Sequence, residues 1–263
     1  AQGPRPGAAA LTAEMLAEIR AREREAIRLS KGAVSARDVS AKDGRPMMEL
    51  VYDNGRKEVV PYDPLVFDLK GGGIKTTAGR VLFDLYGYGQ ADKTQWMNDL
   101  DEGTGILVFD TDGRGGSGAN GSEVFGDRTV LAGVGQPSGF ANGFEALRAL
   151  VKKAVAEGVL GREVLDRELL DAAALAKLGK AYGLGMKVGG FNRPAVSLAE
   201  AGVEAIALSR APTQRAADFD GQANDLLLQP GAVFLRRDGT TGSYMNVWLK
   251  AKRGNLGLKK VSL

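Results

Sequence analysis

The chain has 263 residues, is 44% hydrophobic and 25% charged, and carries a net charge of +3 with a pI near 9.0. That is the composition of a globular protein with one large or two small domains, and the slight basic excess does not by itself indicate nucleic acid. Cysteine and histidine are both absent. Disulfides, thiolate nucleophiles, zinc sites with the usual ligands and every histidine-based triad are thereby excluded. Any catalysis must come from Asp, Glu, Lys, Tyr, Ser or Thr, and no apolar run approaches the roughly 20 residues of a membrane span.

In chain order, residues 1–10 are rich in Pro, Gly and Ala. Thr12 predicts the cap of a helix over 12–30, stopped by Gly32. Leu11, Met15, Ile19 and Ala26 fall near one face of it, and Arg20, Arg22, Glu23, Arg24, Glu25 and Arg28 cover the rest. So thin an apolar stripe suits a helix laid against a neighbour, another subunit included. Residues 33–46 read as a polar linker. MELVYDNGRKEVVPY then places two strand-like runs around Asn54-Gly55, a strong hairpin signal.

Three glycine-rich loops occupy 63–127. Each follows an apolar run ending in an aspartate: Asp68 in DPLVFDLKGGGI, Asp84 in VLFDLYGYGQAD and Asp110 in GILVFDTDGRGGSGANGSEVFGD. Residues 143–156 and 163–182 read as helices, a short third helix is placed near 197–202, and VEAIALS reads as a strand. Residues 211–225 read as polar loop. AVFLRRDGTTGSYMNVWLKAK closes the chain as a second hairpin turning near Asp238-Gly239. Without regular βαβ alternation the fold class expected is α+β, with β-hairpins, glycine-rich loops and a short helical region behind a separate N-terminal helix. The expected division is 1–46 tail, helix and linker, 47–250 domain, and 251–263 basic tail. Lys250, Lys252, Arg253, Lys259 and Lys260 crowd the end with no acid among them, which suits an acidic partner surface.

An aspartate, alternate oxygen ligands and a glycine at the sharp turn are how a calcium loop begins. From Asp63 to Leu147 the motifs DPLVFDLKGGGI, FDLYGYG with Thr94-Gln95-Trp96, ILVFDTDGRGG with GSEVFGD, and ANGFEAL follow in order. Over residues 61 to about 249 the chain resembles the EF-hand-like, calcium-dependent self-processing module of bacterial RTX proteins and large adhesins. The resemblance implies calcium ligands at Asp68, Asp84, Asp92, Asp110, Asp112 and Glu123, and cleavage of the Asp63-Pro64 bond by the Asp63 carboxylate. This chain departs from the family pattern. Lys70 and Arg114 stand where ligands belong, Tyr86 and Tyr88 replace oxygens in the second loop, and Glu123 lies one residue late.

Calcium takes about six to eight oxygens. A cationic side chain about 4 Å from it costs on the order of 4 kcal/mol at an effective dielectric of about 20. Lys70 and Arg114 are therefore read as substitutes for the ion, neutralising Asp68 and Asp110, with calcium absent or weakly bound. The expected function is a non-enzymatic structural or interaction subunit of an extracellular, cell-surface or virion-associated assembly such as a filament, appendage or phage tail. Its partners would be other protein subunits, met through helix 12–30 and the basic tail 250–263. The alternatives are a calcium-triggered Asp63-Pro64 self-processing module and a calcium-binding adhesin domain.

Overall fold

A computed structural model describes residues 34–40, 46–59, 64–76, 81–83, 92–94, 102–110, 113, 115–119, 121–126, 129, 131, 140, 142–189, 193–216 and 225–248. The expected helix 12–30, the basic tail 250–263, and Asp63, Asp84, Asp112 and Arg114 lie outside the described residues, and Asp92 is described only in its backbone.

Ser35–Ser40 (β1), Pro46–Val51 (β2) and Lys57–Val59 (β3) form a three-stranded antiparallel sheet in chain order. The Asn-Gly signal is realised between β2 and β3. Gly55 adopts φ 73°, its N–H donates to the Tyr52 carbonyl at 2.9 Å, and the Asn54 side chain accepts from the Arg56 N–H at 3.0 Å. The linker expected at 33–46 contains β1, whose sequence SARDVS has no apolar run to announce it and which is held by pairing with β2.

A two-stranded ribbon follows, Val81–Phe83 (β5) with Asp92–Thr94 (β6). The main sheet contains Leu65–Asp68 (β4), Thr104–Val108 (β7), Leu169–Leu170 (β8), Gly185–Val188 (β9), Val203–Ala207 (β10), Gln214–Ala216 (β11), Asp225–Leu228 (β12), Val233–Arg236 (β13) and Thr241–Trp248 (β14). Its order is β8-β10-β13-β14-β4-β7-β9, with β12 on β14 and β11 on β12, every pairing antiparallel. Among the described residues three α-helices accompany it: Gly143–Ala156 (α1), Glu163–Arg167 (α2) and Ala172–Tyr182 (α3).

The fold class expected from the sequence is therefore corrected. The described chain is a curled, mainly antiparallel sheet with few helices, not an α+β arrangement of EF-hand-like hairpins. The physical reason lies in the central strands. β7 is buried at every position and β4 at its first three, so neither shows the apolar–polar alternation by which a strand is recognised. The helix expected over 163–182 is also broken: Glu168 turns left-handed at φ 52°, Leu169–Leu170 join the sheet, and the Asp171 side chain starts α3 by accepting from the Ala174 N–H at 2.9 Å. Residues 198–202 are turns, and the segment 211–225 holds β11.

The core sits between the sheet and α1. Phe67 of β4 stacks on Tyr244 of β14 with centroids 4.8 Å apart and meets Phe234 of β13 at 5.1 Å, while Phe144 of α1 reaches Tyr244 at 5.6 Å. Leu147, Leu150, Val151 and Ala154 continue the buried face of α1 at helical spacing. The Tyr244 hydroxyl donates to the Ala207 carbonyl at 2.7 Å, and burial holds this phenol protonated well above its ordinary 10.0. The unfolded chain releases the proton near pH 10 while the folded chain keeps it, so stability falls as pH rises past about 10. Tyr244→Phe is expected to cost about 1 kcal/mol at neutral pH, from the lost hydrogen bond, and to flatten that alkaline decline. Urea melts between about pH 7 and 11 check both.

Candidate functional site

The first and third glycine-rich loops leave adjacent strands at the centre of the main sheet. Asp68 ends β4, Asp110 follows β7 by two residues, and β4 and β7 pair directly, with Asp68 opposite Thr104. In the first loop Asp68 Oδ2 accepts from the Gly73 N–H at 3.0 Å. Its Oδ1 is buried and has no hydrogen-bond partner among the described residues, and the same holds for Thr104 Oγ1. Lys70 is exposed and forms no ion pair with Asp68. The cation that grips this loop comes from the other end of the chain. Arg236 of β13 donates through Nη2 to the Asp68 carbonyl and through Nε to the Leu69 carbonyl, each at 2.8 Å, and through Nη1 to the Thr241 carbonyl at 2.5 Å. The closing hairpin is thus fastened to the first loop by one guanidinium fork.

The third loop closes on itself. The Asp110 carboxylate accepts from the Gly113 N–H at 2.7 Å through Oδ1 and from the Gly115 N–H at 3.0 Å through Oδ2. The loop is seated on the end of α3: the Asp110 N–H donates to the Tyr182 carbonyl at 2.8 Å and the Ser117 hydroxyl to the Gly183 carbonyl at 2.7 Å. Gly183 caps α3 at φ 64°, and a β-carbon there would lie 2.7 Å from that of Asp110, so glycine is required twice over. Glu123, in the 3-10 turn Gly121–Glu123, is 2% exposed and accepts from the Ala119 N–H at 2.8 Å. Asp110→Ala leaves two loop N–H groups without their charged acceptor and is expected to cost about 1–3 kcal/mol, read from urea melts.

Lys187, a residue the sequence reading passed over, lies against this loop. It belongs to β9, pairs in register with Ile106 of β7, and is only 9% exposed. Its Nζ donates to the Arg193 carbonyl at 3.1 Å, and a β-carbon on Gly118 would come within 2.8 Å of its Cε. Burial pushes the ammonium below its ordinary 10.5, and the Glu123 carboxylate opposes that push. The one available signal was a lysine between Met186 and Val188 in an otherwise apolar strand.

Among the six carboxylates that the calcium reading names, the side chains of Asp68, Asp110 and Glu123 are described. Both Asp110 oxygens already accept N–H groups, Glu123 feels an ammonium, and among the described residues no three acidic side chains converge. Pro64 is buried as the chain enters β4. Its carbonyl accepts from the Val247 N–H at 2.9 Å, and the next N–H, of Leu65, donates to the Phe125 carbonyl at 2.8 Å.

These loops and strands fall within a stretch that known proteins share. Residues 65–155 are similar to the SPM domain family. A 75-residue stretch is 44% identical to the iron-regulated protein FrpA of Neisseria meningitidis serogroup C, covering 27% of this chain and 6% of that protein. The family matched is the SPM domain and not an EF-hand or RTX family, so the RTX-module identification made from the motifs is corrected to a similarity with SPM over that stretch. The motifs remain legible within it. In ANGFEAL, Asn142 caps α1 by accepting from the Glu145 N–H at 3.0 Å, Gly143 passes close to the sheet, and Phe144 enters the core. These are structural duties, served by the same residues that suggested the RTX family. Among the described residues no helix is long and apolar enough to cross a membrane.

Proposed function

We propose that this chain is a non-enzymatic structural or interaction subunit of an extracellular or particle-surface assembly, using its SPM-like sheet as a rigid block. The observation that carries this reading is the internal satisfaction of the loop carboxylate: Asp110 spends both oxygens on its own loop. A loop closed in this way is ordered by folding alone and needs no ion to set it. The outer face of the main sheet supports the interaction half of the reading. Leu169, Val233 and Leu235 are exposed there on β8 and β13, and register places Leu235 beside Ala205 and Leu169 beside Ala207 of β10. In this reading the segment 12–30 and the basic tail 250–263, both outside the described residues, are the segments that would meet other protein subunits.

Incubation with millimolar calcium or with chelator tests the reading. The expected result is an intact mass and one melting temperature in both conditions. A fragment beginning at Pro64 would establish self-processing instead, and a calcium-dependent rise in melting temperature would establish a calcium-binding module. Sedimentation of the full chain is expected to show association that weakens with salt, since basic segments meet acidic surfaces through screened charges.

A further inference from the structure

We propose that the cleft between α1 and the β8–β10 end of the main sheet binds a small oxyanion of the phosphate type. The cleft is lined by Arg148, Lys152, Leu165, Glu168, Leu208 and Arg210 and has a volume of about 190 Å³. Sites for drug-sized ligands begin at roughly 300 Å³, so the space suits one anionic group rather than a whole nucleotide. Three cations against one carboxylate leave two positive charges in excess, the complement of a dianion. The carboxylate is already engaged, since Glu168 is ion-paired with Arg210 Nε. Other donors are free to turn to a ligand. Arg148 is half-buried, and its Nη1 donates to the Ser209 carbonyl and, at 3.3 Å, to Gln229 Oε1. That anchors the guanidinium and leaves Nε and Nη2 without a partner among the described residues. Lys152, one turn further along α1, is exposed and makes no hydrogen bond or ion pair with the described residues. The frame around these donors is fixed. The Leu208 N–H donates to the Glu168 carbonyl at 2.7 Å, and the buried Gln229 donates through Nε2 to the Ala211 carbonyl at 2.8 Å. Walls that stand in place beforehand spare a ligand the cost of ordering them. The cations come from α1 and from the segment that follows β10, and so approach from two sides. A tetrahedral oxyanion offers acceptors in both directions, whereas a carboxylate is met in one plane by a single guanidinium fork.

The test is titration of the full chain with inorganic phosphate at constant ionic strength. Phosphate also stabilises folded chains by exclusion from their surface, so binding is read directly by isothermal titration calorimetry rather than from Tm. The expected result is saturable binding to one site with a Kd on the order of 1 mM, the strength suited to a partly exposed ion cluster. Lys152→Gln removes a charge that holds nothing in the fold and is expected to weaken binding about tenfold. Arg210→Gln removes a second cation and frees Glu168, and is expected to weaken it at least as much. Lys177→Gln, at an exposed lysine of α3 that does not line the cleft, is the control and is expected to leave Kd unchanged. Absence of saturable binding overturns the proposal. So does phosphate binding that Lys152→Gln and Arg210→Gln leave as tight as Lys177→Gln does, since the anion then sits on another basic segment. Acetate bound as tightly as phosphate also overturns it, because the cleft would then select a single carboxylate. None of the lining residues belongs to the glycine-rich loops, so the calcium and mass tests decide the assembly reading separately.

Discussion

Phe67→Ala is expected to destabilise the protein by about 3–5 kcal/mol, the largest single effect of any substitution considered. Phe67 is fully buried at the middle of the main sheet, and its ring touches both aromatic neighbours that join β4 to the closing hairpin. Truncation removes the transfer energy of a whole ring and leaves a cavity bounded by Tyr244 and Phe234, which belong to strands fixed by pairing on both sides. Such walls do not collapse, so the cavity cost adds to the transfer cost. For a domain of this size the loss corresponds to a fall in Tm of about 10 °C or more. Phe67→Leu, which retains most of the volume, is expected to lose less than half as much. Urea melts monitored by near-ultraviolet circular dichroism check both, and equal losses for the two variants would show that the site relaxes around either.

Gly143→Ala is expected to cost about 1–3 kcal/mol although it adds only a methyl group to the start of a helix, where alanine is normally the better residue. A β-carbon at 143 would lie 2.5 Å from the Phe125 carbonyl oxygen, 2.6 Å from Leu65 Cγ and 2.8 Å from Asn246 Oδ1. None of the three can retreat cheaply. The Phe125 carbonyl accepts from the Leu65 N–H at 2.8 Å, Leu65 is fully buried, and Asn246 Oδ1 accepts from the Gly143 N–H itself at 2.6 Å. The methyl group therefore pushes α1 off the sheet and strains the hydrogen bond that docks it. Gly72→Ala is the matched control. It faces open space with ordinary φ, and a change within about 0.5 kcal/mol is expected there. Equal costs at 72 and 143 would show that the close approach is not what the glycine is for.

The elements that local chemistry governs were legible. Helix α1 runs over the residues its apolar spacing marks, because Leu147, Leu150, Val151 and Ala154 recur at the helical period and Asn142 offers an acceptor at the cap. Both hairpins turn where Asn54-Gly55 and Asp238-Gly239 stand, since a positive φ is cheap only for glycine. The fold class was not legible. Strands as short as β4, β7 and β10, with β7 buried at every position and β4 at its first three, carry no period long enough to count. Within the candidate site the aspartates at the loop starts could be named from the sequence, but their hydrogen-bond partners could not. Asp68 and Asp110 accept from glycine N–H groups three to five residues on, and backbone donors leave no mark in residue identity.

What the sequence by itself determined is therefore local: where the turns fall, where α1 begins, which loops start with a carboxylate, and which chemistries a chain without cysteine and histidine gives up. Tertiary structure decided which strands are neighbours, and with that which charges meet. Arg236 reaches the Asp68 carbonyl only because β13–β14 returns to β4, and Lys187 comes to lie against Gly118 of the third loop only because β9 pairs with β7. Electrostatic attraction depends on distance in space and on burial. Neither is a property of position along the chain, so a cation adjacent in sequence and a cation adjacent in the fold can be different residues.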